Sequence, residues 1–146
     1  MKLYGSLQNR LEEGRIYTKD GLIHIDDDVT VYHWSDRDVW FVTDVISQKE
    51  FIMREYITIG DRSKAGGMGH QDWVHFKTNE EFLEYCKQYG LNFSGCYQNE
   101  AHLVYRYGSW WLKHDKEKAK QYGRKEYTKF SPISIGVRDY YYDWEF

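Results

Sequence analysis

A single α+β domain, built on a curved antiparallel β-sheet or small barrel with two short helices, is what this sequence predicts. Three observations carry the prediction. The runs 29–34 and 39–45, with Val29, Val31, Val39, Val42 and Val45, read as alternating strands, the period of half-buried strands. Thr78 and Glu81 form a capping box ahead of an apolar-faced helix. Two aromatic-rich runs, 102–107 and 109–113, flank Gly108 as the arms of a hairpin do. At 146 residues the chain is of a length for one domain, 1–146, that buries most of its unfolded surface without staples.

Along the chain, Ser6 can cap a short helix in which Leu7 and Leu11 share a face and Gly14 closes the end. After Asp26, Asp27 and Asp28 come three predicted strands, over 29–34, 39–45 and 51–57. They are separated by turn residues Ser35 and Asp36, then Ser47, Gln48 and Lys49. Tight turns between such runs imply an antiparallel meander. The stretch 60–70 holds four glycines and reads as a loop, and 72–76 reads as a fourth strand. The capped helix runs over 79–89, with Phe82, Tyr85, Cys86 and Tyr89 on one face and Gly90 after it. Residues 92–99 are slack, 114–129 form a lysine-rich loop, and 133–135 form a last strand.

Composition narrows the function classes. Net charge is −3, which weighs against bulk nucleic-acid binding. The span 104–129 nevertheless carries eight basic residues against three acidic ones, so a local anion site or a solvated lysine face fits there. Cys86 and Cys96 do not make a disulfide framework, and Cys86 on the apolar helix face reads as a small buried hydrophobe. No apolar leader follows Met1 and no run approaches membrane-spanning length. The expectation is a soluble cytoplasmic protein without membrane contact. The six histidines include no pair at ligand spacing on one helix, and there is no Cys-x-x-Cys. No nucleophile elbow or Walker loop is present either. No catalytic residue, metal or cofactor is therefore assigned.

What remains is arginine among rings and carboxylates. Trp34, Arg37 and Trp40 stand with Asp36 and Asp38. Arg106 sits between Tyr105 and Tyr107, just ahead of Trp110. Arg138 and Asp139 precede Tyr140, Tyr141 and Tyr142. Guanidinium stacks on rings and forks onto phosphate or carboxylate. The same residues can serve as a buried clamp or as a grip on a planar anion. Along a strand, neighbours point to opposite faces, so adjacent aspartates need not neutralise these arginines. The ligand-binding candidates are Arg37, Arg138, Trp34, Arg106, Trp110 and Tyr140.

With those residues in view, the chain resembles a family of small phage and prophage proteins. The shared pattern opens with Tyr4, Gly5, Ser6, Asn9, Arg10, Leu11 and Glu12, and passes through Ser35, Asp36 and Arg37. It closes with Gly136, Arg138, Asp139, Tyr140, Tyr142, Asp143 and Phe146. Trp144 and Glu145 stand where the pattern has proline and a small residue. The chain is similar in this to the Thoeris anti-defence sponges, phage proteins that bind cyclic ADP-ribose isomers made by host TIR enzymes and hold them uncleaved. The resemblance implies a β-sheet core with helices and a homo-oligomer, at least a dimer. It also implies arginine on phosphates, rings on adenine, and a place in the cytoplasm of the infected bacterial host. Arg37 and Arg138 are the positions it carries over. The leading reading is a non-enzymatic binding protein that sequesters a cyclic nucleotide or cyclic ADP-ribose isomer. The alternatives are a phage inhibitor of a host protein, of the anti-CRISPR kind, and a nucleotide-degrading enzyme using His33 or His102 with nearby acids.

Overall fold

The structure, a computed structural model, describes residues 15–33, 36–63 and 72–141. The expected meander is there as β1 (Asp28–Tyr32), β2 (Arg37–Ser47) and β3 (Glu50–Glu55). In register, Val29 faces Trp40 and Val42 faces Met53. The hairpin follows as β6 (Glu100–Arg106) and β7 (Ser109–Lys113), and Tyr107 and Gly108, both at positive φ, make its tight turn. β8 (Tyr127–Lys129) adds beyond β7, and β9 (Ile133–Ile135) returns to pair with β1. The seven strands run antiparallel in the order β8-β7-β6-β3-β2-β1-β9.

This sheet is curved but does not close into a barrel. Register shifts between Val42 and Asp44, and again between Val45 and Ser47, bulge β2 against β3 and bend the sheet. The edge strands β8 and β9 have three residues each and do not pair with one another. Residues 130–132 bridge the seam between them. The Phe130 N–H donates to the Trp110 carbonyl at 3.0 Å, and the Pro132 carbonyl accepts from the Tyr32 N–H at 2.9 Å. Proline has no N–H to offer a further strand, so the seam stays open there.

Alternation sends Val29, Val31, Trp40, Val42, Phe51, Met53, Leu103, Trp110, Ile133 and Ile135 to one face, where they make the main core. Each such side chain, fully buried, contributes about 1.5–3 kcal/mol. Ile23 joins them from the approach to β1. Gln48 holds it there, accepting from the Ile23 N–H at 2.6 Å and donating to its carbonyl at 3.0 Å.

On the side of the opposite face stands a second, two-stranded sheet, joined to it through ring contacts of His75 with Tyr56 and Tyr140. Residues 51–57 read as one strand in the sequence, but the strand ends at Glu55. The Tyr56 N–H bonds across to the Val39 carbonyl at 3.1 Å, and the chain re-enters as β4 (Ile57–Gly60), paired with β5 (Trp73–Phe76). Helix α1 (Asn79–Gln88) starts at Thr78, whose hydroxyl accepts from the Glu81 N–H at 3.2 Å. It buries Phe82 and Cys86 against Ile57, which bears out the reading of Cys86. The lysine-rich span holds a further short helix, α2 (Lys116–Gln121), capped by Asp115. Only Ala119 of α2 is buried, so no apolar stripe announces it in the sequence. The helix expected over 6–14 and most of the glycine-rich loop lie outside the described residues. Among the described residues no helix is long and apolar enough to cross a membrane.

Candidate functional site

The β1–β2 register places Asp28, Thr30 and Tyr32 beside Phe41, Val39 and Arg37 on the face turned away from the main core. That face mixes polar and apolar groups and is largely buried, and residues 137–141 lie across it. Gly136 makes the turn that sends the chain there. Its φ is +94°, and an added Cβ would stand 2.9 Å from the Thr18 backbone nitrogen, a place only glycine fits. Thr30 then clamps the segment, its hydroxyl donating to the Val137 carbonyl at 2.9 Å and accepting from the Asp139 N–H at 3.2 Å. Arg37 and Tyr141 exchange backbone hydrogen bonds of 2.8 and 3.1 Å.

Arg37 is the bolt of this arrangement. It is 2% exposed, its Nη1 lies 3.2 Å from an Asp139 carboxylate oxygen, and its guanidinium sits 4.9 Å from the centre of the Tyr141 ring. The carboxylate comes from the other end of the chain, not from the flanking Asp36 or Asp38. Asp38 instead pairs with His33 at 2.6 Å.

Arg138, one residue before Asp139, is exposed. Its guanidinium lies 5.5 Å from the centre of the Tyr56 ring, and no carboxylate among the described residues pairs with it. Around it stand rings delivered by the second sheet. His75 is 5.8 Å from both Tyr56 and Tyr140, Trp73 meets Tyr140 edge-on at 4.7 Å, and Phe41 packs on Tyr56 at 4.9 Å. Lys77 lies over Phe41 at 5.3 Å. Hydrogen bonds fix the rings. The Tyr56 hydroxyl donates to Asp28, and His75 Nδ1 is 2.8 Å from the Thr58 hydroxyl.

Burial, and then the positive charge of Arg138, push the His75 imidazole down to about 4, so it is neutral at pH 7. Burial and the bond to Asp28 push the Tyr56 phenol up. At neutral pH the exposed Arg138 guanidinium therefore stands among neutral rings, with Lys77 paired to Asp26, an arrangement suited to stacking a flat ring while the fork takes an anion. The three consecutive aspartates divide their work here. Asp28 holds Tyr56, Asp26 pairs with Lys77 at 3.2 Å, and Asp27 accepts from the His24 backbone N–H at 2.6 Å.

The six sequence candidates do not form one site. Arg37, Arg138 and Tyr140 come together. Arg106 and Trp110 lie instead on the β6–β7 hairpin, whose strand β6 is separated from β2 by β3 in the sheet. Arg106 is sandwiched there by Tyr127 at 4.4 Å and Tyr107 at 5.3 Å. Trp110 is a core residue, edge-on to Phe51 at 5.0 Å. Trp34 lies outside the described residues. His102 pairs with Glu50 at 2.6 Å, far from His33. Among the described residues no group of three metal-ligating side chains gathers.

Sequence reasoning missed Tyr56, Trp73 and His75. The signal for Trp73 and His75 was the strand reading of 72–76, but nothing in it says that β5 folds against β4 over the tail, and Tyr56 was absorbed in the run 51–57. Comparison with known protein families, with curated proteins and with solved structures finds no match.

Proposed function

We propose that this chain is a phage-encoded binding protein that sequesters a small anionic nucleotide signal, of the cyclic nucleotide or cyclic ADP-ribose type, without cleaving it. The observation that carries the reading is Arg138, an exposed guanidinium over the Tyr56 ring with no carboxylate partner among the described residues. Its fork takes phosphate oxygens while Tyr140 or Trp73 offers a face to the base. The ring frame asks for no reaction, and the resemblance of both chain ends to the sponge family supplies the ligand class. The binding form is a homo-oligomer in the host cytoplasm. Leu22, Ile25 and Ile46, which are 46%, 60% and 55% exposed, supply apolar surface for a contact between copies.

The test is incubation of the purified protein with cyclic ADP-ribose isomers and cyclic dinucleotides, removal of unbound material, heat release and mass spectrometry of the supernatant. An intact nucleotide released in stoichiometric amount supports the reading. A cleaved nucleotide points to an enzyme. A second reading, an inhibitor that docks on a host protein, is favoured by Tyr97 and Tyr107, each 86% exposed, since projecting tyrosines are common interface anchors. It gains if no small ligand is released.

A further inference from the structure

The seam between β8 and β9 encloses a cavity of about 390 Å³, within the range of small-molecule sites. None of its lining residues belongs to the ring frame around Arg138, so it is a separate site from the one in the nucleotide reading. Its floor is apolar: Trp110, Ile133, Phe130 and Pro132 line it. Trp110 is held in place from two sides, by Phe51 at 5.0 Å and by Tyr105 at 5.2 Å, both edge-on. Its ring is thus preorganised as one wall of a slot. Polar side chains join the lining as Ser109, Ser131 and the exposed Lys129. A rigid aromatic wall, an apolar floor and one cation at the rim are complementary to a flat ring that carries a single acid group.

We propose that this seam is a second binding site, for a planar aromatic acid whose ring lies against Trp110 and whose anionic group meets Lys129. The strap of residues 130–132 bonds to β7 on one side and to β1 on the other, so the slot keeps its shape when empty.

The probe is 1-anilinonaphthalene-8-sulfonate, a fused aromatic ring with one sulfonate that fluoresces when taken out of water. Titrated into the native protein, it is expected to saturate at one molecule per chain. Ser131→Trp plugs the slot from its rim and should abolish that binding while the circular dichroism spectrum stays native. Lys129→Glu changes only an exposed side chain and should weaken binding about two- to fivefold, as for an exposed ion pair. Arg138→Lys should leave it unchanged. Failure to saturate in the native protein overturns the proposal. So does equal binding by Lys129→Glu, or equal binding by a folded Ser131→Trp.

Discussion

Replacing Arg37 with lysine keeps the charge and removes the geometry. The guanidinium of Arg37 touches Asp139 at 3.2 Å and covers the Tyr141 ring at 4.9 Å while only 2% exposed. Lysine cannot hold a carboxylate and lie flat on a ring at once. The stacking of a desolvated cation contributes about 2 kcal/mol, and a charge-assisted hydrogen bond about 1.5–3 kcal/mol. Lysine retains part of the second, and the Asp139 side chain is 29% exposed, so water can replace some of the loss. The net destabilisation expected is about 1.5–3 kcal/mol. For a chain of 146 residues that lowers Tm by roughly 5–10 °C, taking about 3–4 °C per kcal/mol. Thermal unfolding followed by circular dichroism reads this, with Arg138→Lys as the companion, expected within about 1 °C of the native protein because Arg138 is exposed. A Tm for Arg37→Lys that matches the native protein would show that the tail is not bolted through this guanidinium.

Three further outcomes are expected. The folded state keeps His75 neutral down to about 4, whereas the unfolded chain takes up that proton from about 6.5. The unfolded state therefore binds more protons between these values, and stability falls as pH drops through the window. His75→Gln should flatten that loss in urea titrations at pH 4.5, 5.5 and 6.5. His24 and His33, raised by carboxylate partners, pull the other way equally in both proteins, so it is the difference that counts. Thr78→Ala removes the acceptor of the Glu81 N–H and should cost about 1 kcal/mol, seen as a lower urea midpoint at unchanged slope. Light scattering at micromolar concentration should give at least twice the 17.7 kDa of one chain, and a monomer mass would remove the contact between copies.

The sheet was legible because its strands alternate on a half-buried surface, a pattern that depends on local chemistry alone. Val29 and Val31 declare their face by period two, the unbroken apolar run 39–42 is buried on both faces, and Thr78 declares the start of α1 by its hydroxyl. The second sheet was not legible, since the break at Tyr56 is a tertiary event. The run 51–57 is uniformly rich in strand formers, and only the hydrogen bond from Tyr56 to Val39 shows where the chain leaves the main sheet. α2 was hidden because it buries one alanine. At the site, the sequence singled out Arg37 and Arg138 as equals. What separates them is the path of residues 137–141, which brings Asp139 onto Arg37 and leaves Arg138 facing outward. A partner about a hundred residues away carries no local signal.

Isothermal titration of one nucleotide, the one recovered intact by heat release, into native protein, Arg37→Lys and Arg138→Lys brings these strands together. Arg138→Lys should bind more weakly by about 1.5–3 kcal/mol, the loss of a charge-assisted hydrogen bond, with Tm unchanged. Arg37→Lys should keep most of its affinity at temperatures well below its lowered Tm. Full affinity in Arg138→Lys would contradict the assignment of the site to the exposed guanidinium over Tyr56.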